Sequence, residues 1–304
     1  MGVLSKRFLE RLSAGPPLVL DAAMGTELQR RDADTRLPLW SARALLQDPE
    51  LVWTVHSDEA GAGADILTAN TFRTHARSLA GAGAGVDAAE LTAQAVGLAH
   101  RAAAIPKREI FVAGSLSPLE DCYRPELAPD DATLAREHGA QARLLAEAGV
   151  DLILAETHNS VREAEAALRA AKATGVPVAV SLVTDGSGRL LSGEPIEDAA
   201  ARLVALEPDA IGINCVPAAR VVFELDRVRG AARGTPLVAY GNLGLPQDAK
   251  GWSFGDELAP EAYAEEASRW VALGARIVGG CCGTTPEHTR AVRRMLDENP
   301  ERAS

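Results

Sequence analysis

Short apolar runs rich in β-branched residues alternate along the chain with longer Ala-, Leu-, Glu- and Arg-rich stretches whose apolar positions recur at helical spacing. This pattern predicts eight strands, at 17–24, 64–72, 109–116, 150–157, 176–183, 209–215, 235–242 and 274–282. The triplets AGV, TGV and LGA at the edges of several of these runs read as a helix C-terminus feeding a buried strand. Between strands, AAELTAQAVGLAHRAAA (88–104) and PEAYAEEASRWVALGA (260–275) read as amphipathic helices. Strict alternation of eight strands with about eight helices predicts parallel βαβ units and, at this length, a single (β/α)8 TIM barrel. A doubly wound open sheet is the competitor, but no GxGxxG follows the first strand. No Pro/Gly/Ser-rich linker divides the chain, and the glycine-rich AGAGAGVD (80–87) fits a loop. One domain over 1–304, with its core at 16–297, is expected.

Composition narrows the function classes. The chain has 304 residues, 47% hydrophobic and 24% charged, a globular balance that excludes intrinsic disorder. Lys plus Arg total 31 against 42 Asp plus Glu, a net charge of -11 without a basic run, which argues against nucleic acid and anionic membrane as partners. No apolar stretch approaches the roughly 18 residues that span a bilayer. The opening MGVLSKRFLERLSAG carries charges where a signal peptide needs its apolar run, and Lys6 breaks the myristoylation pattern, so a cytoplasmic protein is expected. Four cysteines are too few for a disulfide scaffold, yet two of them, Cys281 and Cys282, are adjacent.

In a (β/α)8 barrel the site is built at the C-terminal ends of the strands. Those ends carry Asp21, Asn70, Ser115, Glu156, Ser181, Cys215, Asn242, and Cys281 with Cys282. They are polar or metal-binding types closing otherwise apolar runs. The fold gathers Cys215 from strand six with Cys281 and Cys282 from strand eight, and thiolates suit Zn2+, with a fourth position left open. Gly279, Gly280 and Gly283 are expected to let the backbone bend so that both neighbouring sulfurs reach one ion. Buried inert cysteines or a redox disulfide are the alternatives; a disulfide between neighbours is strained, and a reducing cytoplasm opposes it.

GGCCGTTPEH (279–288), GINC (212–215) and LVLDAAMGTELQRR (18–31) together resemble the homocysteine S-methyltransferase family, over about residues 16 to 297. The resemblance implies a (β/α)8 barrel, a zinc ion held by Cys215, Cys281 and Cys282, and homocysteine sulfur in the open position. It also implies that Glu156, in LILAETHN, partners the homocysteine ammonium, with Asp21 as a second candidate. Gly25 and Thr26 open a predicted short helix whose free N–H groups are expected to hold the carboxylate. Asn70, Asn214 and Tyr240 complete the residues expected against the substrates.

The donor is read from LPLWSARALLQDPELVWTVH (37–56), which resembles the branch using S-methylmethionine or S-adenosylmethionine. YGNLGLPQDAKGW (240–252) stands where that branch has a Tyr-Pro-Asn loop, with Gly241 replacing the usual Pro; Tyr240 or Trp252 would meet a sulfonium by cation–π contact. TANTF (68–72) is closer to the cobalamin-dependent methionine synthase pattern, and GSLSPLEDCYRPE (114–126) departs from the sulfonium branch and puts Cys122 near the mouth. Betaine, a methylfolate or another thiol acceptor are the alternatives within the barrel, although twelve aromatics are few for a betaine cage. A zinc hydrolase with metal-bound water, and a structural four-cysteine site that recruits Cys122, are alternatives of other classes. Among the histidines, His158 is the one expected to reach the mouth, whereas His288 is expected to cap the last helix or face solvent.

Overall fold

The computed structural model describes residues 3–247, 251–254 and 258–298. Seven barrel strands come first: β1 (Leu18–Val19), β2 (Ile66–Ala69), β3 (Phe111–Leu116), β4 (Leu152–His158), β5 (Val178–Leu182), β6 (Ala210–Pro217) and β7 (Leu237–Asn242). The short antiparallel pair β8 (Leu245–Gln247) and β9 (Gly251–Ser253) precedes the last, β10 (Ala275–Gly280). The barrel strands pair in parallel in the order β1-β10-β7-β6-β5-β4-β3-β2, and a parallel bridge from Leu20 to Ile66 closes the ring. Each predicted strand therefore exists, and the (β/α)8 barrel is the observed architecture. The ends of the expected domain, residues 1–2 and 299–304, lie outside the described residues.

The strands read as apolar runs because both faces are covered, the interior by facing strands and the exterior by helices. All residues of β3, β4, β5 and β7 are buried. The polar exceptions at strand starts have a geometric reason. Asp65, Asp151 and Asp209 each accept the N–H of a residue on the preceding strand, Val19, Val112 and Val178, at 2.9, 2.8 and 2.8 Å. A carboxylate thus completes the ladder at the bottom of the barrel, where a backbone donor has no carbonyl opposite it.

Twelve α-helices occur among the described residues, more than the eight expected. The surplus lies in α1 (Val3–Ser13) and in the first two crossovers. The first crossover carries α2 (Met24–Arg30), α3 (Ala42–Gln47) and α4 (Pro49–Ala62), the second α5 (Ala76–Ala82) and α6 (Ala88–Ala103). Helices α7 (Asp131–Glu147), α8 (Val161–Lys172), α9 (Ile196–Val204), α10 (Ala218–Ala231), α11 (Pro260–Ala272) and α12 (Pro286–Glu298) complete the outer layer. Side chains of Asp48, Asp87, Asp130 and Ser160 accept first-turn N–H groups of α4, α6, α7 and α8, which fixes where those helices begin. The stretch 80–87, expected as a loop, starts inside α5 and leaves it at Gly83, whose φ of 59° stops the helix. Helix α1 packs Phe8 edge-on against Phe111 of β3, ring centroids 5.5 Å apart, and so covers the end of the barrel opposite the strand termini.

Glu59 of α4 is buried between the barrel and α12, where the Thr289 hydroxyl donates to it at 2.7 Å. Burial, reinforced by the nearby Asp21, raises its pKa to about 8. The folded state therefore holds a proton that the unfolded chain releases above the usual Glu range, and stability falls as pH rises from about 4.5 to about 8. Glu59→Gln keeps the neutral shape, so its melting temperature should match wild type near pH 4 and exceed it by several degrees at pH 9. Parallel melting curves at both pH values would remove Glu59 as a source of the pH dependence.

Candidate active site

The strand termini open into one cavity of about 390 Å³, within the range of small-molecule pockets. Asp21, Glu156, Tyr240 and the three cysteines all contribute to its wall. Cys215 is carried by β6; Cys281 and Cys282 directly follow β10. Their three sulfurs lie within 4.8 Å of one another. Cys215 and Cys281 are joined as a disulfide, with Cα atoms 5.8 Å apart, and Cys282 is free. The disulfide thus joins β6 to the residue after β10, two strands apart in the ring with β7 between them, rather than linking the adjacent pair. A soft tetrahedral cation holds thiolates roughly 3.7 Å from each other, so the reduced cluster has the chemistry and spacing to hold one. Cys122 is in the cavity wall but not in the cluster, and burial pushes its thiol up to about 12. The four-cysteine structural site is therefore not what is formed.

The backbone that aims these sulfurs differs from expectation. Of the three glycines, Gly283 alone takes a left-handed φ, 85°, and a Cβ there would lie 2.1 Å from the Leu243 carbonyl oxygen. Gly279 lies within β10 and is needed for space instead, since a Cβ would sit 2.5 Å from the carbonyl oxygen of Leu20. The sharper feature is Cys215 itself, at φ 53°, facing Thr157 at φ 61°. Left-handed conformations at such residues cost on the order of 1–3 kcal/mol and persist where surrounding contacts determine them. Here Asn214 supplies those contacts. Its carbonyl oxygen accepts Thr157 N–H and Ser181 Oγ, each at 2.9 Å, and its amide donates to Thr157 Oγ1 at 2.7 Å. Thr157 Oγ1 in turn donates to Cys215 Sγ at 3.8 Å. Asn214 is fully buried and absent from the cavity wall, so the structure gives it these bonds rather than a place against the substrate space.

Glu156 accepts hydrogen bonds from Ser115 Oγ at one oxygen and from the Tyr240 hydroxyl, at 3.0 Å, at the other. Burial raises its pKa, and these two donors oppose the rise. A carboxylate has about four acceptor positions, which leaves one per oxygen for a cavity ligand. Asp21 is raised to about 7 by burial, while Thr68 binds both of its oxygens, through N–H at 2.7 Å and Oγ1 at 2.8 Å. Tyr240, tied through its hydroxyl to Glu156 and Ser181, and Trp252, whose Nε1 donates to Leu243 O at 2.7 Å, both line the cavity. Residues 248–250 of the 240–252 loop lie outside the described residues.

The remaining expected positions fall as follows. Asn70 lines the cavity with both amide groups engaged by Ser41, at 2.6 and 3.0 Å. Gly25 lines it beneath Trp40, whose indole nitrogen would be 2.2 Å from a Cβ. Thr26 is fully buried, its hydroxyl accepting Gly283 N–H at 2.9 Å, and α2 has only seven residues. His158 does not reach the mouth: its ring packs on His138 of α7, 5.8 Å between centroids, and burial lowers its pKa to about 4. The register shift between Ala155 and His158 breaks the strand alternation, turning Glu156 inward and His158 outward. His288 caps α12 by accepting Thr285 N–H at 3.1 Å. Thr157, Trp40 and Arg73 are site residues that motif reading missed; Arg73 alone carried a signal, as a charge directly after TANTF.

Residues 18–296 match the family model described as homocysteine S-methyltransferase. Homocysteine S-methyltransferase of Escherichia coli is 33% identical over 297 residues, 91% of this chain and 94% of that protein. Selenocysteine methyltransferase of Astragalus bisulcatus is 28% identical, covering 93% of each chain. Among solved structures, the metallated form of the Escherichia coli homocysteine methyltransferase MmuM aligns with a TM-score of 0.80 at 30% identity, over 95% of this chain and 99% of that one.

Proposed function

The chain belongs to the homocysteine S-methyltransferase family, and from that premise we propose that it moves a methyl group from a sulfonium donor, S-methylmethionine or S-adenosylmethionine, to homocysteine, using zinc. The observation that carries this reading is the convergence of three cysteine sulfurs from β6 and β10 on one substrate-sized cavity. Cys215, Cys281 and Cys282, reduced, would hold the ion. When bound, zinc supplies Lewis acidity that lets a thiol lose its proton near neutral pH. A reducing cytoplasm suits this reading, because it keeps the Cys215–Cys281 pair as thiols.

The chain's own residues then orient the reaction. Glu156, with Asp21 beside it, holds the homocysteine ammonium through its two unused acceptor positions. The homocysteine thiolate attacks the donor methyl carbon in line; the new S–C bond forms as the donor's S–C bond breaks, and a neutral thioether leaves. Tyr240 and Trp252 present aromatic surface to the cationic sulfur. Trp40, Phe72 and Tyr123 in the cavity wall restrict water. A selenol acceptor is the second reading, and its support is the similarity to the Astragalus protein.

Reduced, zinc-loaded protein supplied with homocysteine and, separately, methyl-labelled S-methylmethionine, S-adenosylmethionine, betaine and methyltetrahydrofolate tests this directly by mass spectrometry. Labelled methionine from one sulfonium donor is expected; labelling from betaine or folate alone would overturn the donor assignment. Water consumption of a substrate without homocysteine would instead identify a hydrolase.

Asn214 is expected to act on the metal through Thr157 and Cys215. Asn214→Ala frees Thr157 from its left-handed backbone and withdraws its hydroxyl from Cys215, so zinc affinity should fall by about 10- to 100-fold, the usual cost of losing an outer-shell partner. Competition with a chromogenic chelator measures it, and an unchanged zinc affinity would show that the Asn214 bonds serve folding alone.

A further inference from the structure

Building on the methyl-transfer reading, we infer that Arg73 forms an anion-binding subsite in the wall of the same cavity and takes the carboxylate of an amino-acid substrate. Arg73 follows β2 and is 6% exposed. Its Nη1 donates to the carbonyls of Glu120 at 2.9 Å and Pro118 at 3.5 Å. Nε is buried without a partner, and Nη2 makes no hydrogen bond among the described residues. The guanidinium lies 5.2 Å from the ring centre of Phe72, itself part of the cavity wall. Among the described residues no carboxylate lies within ion-pair distance of Arg73. Arg77, four positions on and more exposed, has two such partners, Glu120 and Glu137, at 2.9 and 2.7 Å.

A buried charge lacking a counter-ion is costly, and a ligand that brings the opposite charge would offset that cost. Nε and Nη2 together form the one guanidinium edge without a protein partner, and such a paired edge matches a carboxylate better than any other group the reaction offers. Homocysteine and an amino-acid sulfonium donor each carry an α-carboxylate, so one chemistry has two sources.

Titration calorimetry on reduced, zinc-loaded wild type, Arg73→Gln and Arg73→Lys separates them. One arm compares homocysteine with 3-aminopropane-1-thiol, which lacks the carboxylate; the other compares S-methylmethionine with (3-aminopropyl)dimethylsulfonium. Wild type should prefer the carboxylate-bearing member of one pair by about 10- to 100-fold, the worth of a charge-assisted contact. Arg73→Gln should lose that preference while binding the decarboxylated ligand as wild type does, and Arg73→Lys should keep part of it. The pair that responds names the source. Preference surviving in Arg73→Gln, equal weakening of both members, or no preference in wild type would overturn the subsite. Because binding is read apart from turnover, a wild type that binds these ligands yet forms no methionine would refute methyl transfer and leave the subsite standing or falling on calorimetry.

Discussion

Cys281→Ser is expected to remove bound zinc and to lower methyl transfer by on the order of a thousandfold or more. Two separate losses combine. A free thiol with a pKa near 8.5 is only about 3% thiolate at neutral pH, so most acceptor molecules lose their nucleophilic form. The acceptor sulfur also loses its fixed place facing the donor methyl group, and well-oriented groups in a site are worth effective molarities of 10⁵ M and above. Serine offers an alcohol in place of a soft thiolate, and two remaining cysteines are too few to hold zinc tightly. Cys215→Ser and Cys282→Ser should behave alike, because all three sulfurs lie within one 4.8 Å set. Metal content by mass spectrometry, measured in reducing buffer on variants whose circular dichroism matches wild type, is the check. A Cys281→Ser protein that retains zinc and activity would end the three-thiolate assignment.

The eight barrel strands were legible because they are largely buried on both faces, β3, β4, β5 and β7 entirely so, which leaves mostly apolar runs in the sequence. The cysteine cluster was legible for a topological reason: parallel strands bring their C-terminal ends to one rim whatever their separation along the chain. What escaped notice depends on tertiary packing. The β8–β9 pair is three residues per strand, too short for periodicity to register, and its place is set by the reciprocal bonds of Gln29 with Trp252. Thr157 is the clearest case. A β-branched residue is among the least suited to a left-handed backbone, so nothing local announces it. Asn214, fifty-seven positions away in sequence, is what holds it there. The same irregularity takes His158, just beyond Glu156, away from the mouth it was expected to reach.

Glu156→Gln should retain zinc but weaken homocysteine binding by about 30-fold, as the loss of a charge-assisted bond to an ammonium of 1.5–3 kcal/mol implies. Glutamine keeps the shape; its carbonyl oxygen can accept from one of the two hydroxyls, Ser115 or Tyr240, and its NH2 can donate to the other, so the change acts chiefly on charge rather than packing. Asp21 is the rival partner, and pH tells the two apart. Both carboxyls are raised by burial, Asp21 to about 7, so each binds ammonium only as pH rises through its own value. The substrate ammonium stays protonated over that range, and wild-type affinity should therefore fall on the acid side. The residue that holds the ammonium is the one whose neutralisation flattens that limb. Each carboxylate accepts one hydrogen bond at each oxygen, Glu156 from Ser115 and Tyr240 and Asp21 from the N–H and hydroxyl of Thr68, so acceptor count does not separate them and the preference for Glu156 rests on the family resemblance of LILAETHN. Glu156→Gln should flatten the acid limb and Asp21→Asn should leave most of it. The reverse outcome, with homocysteine affinity unchanged in Glu156→Gln, would transfer the ammonium site to Asp21 and leave Glu156 as a bridge between β3 and β7.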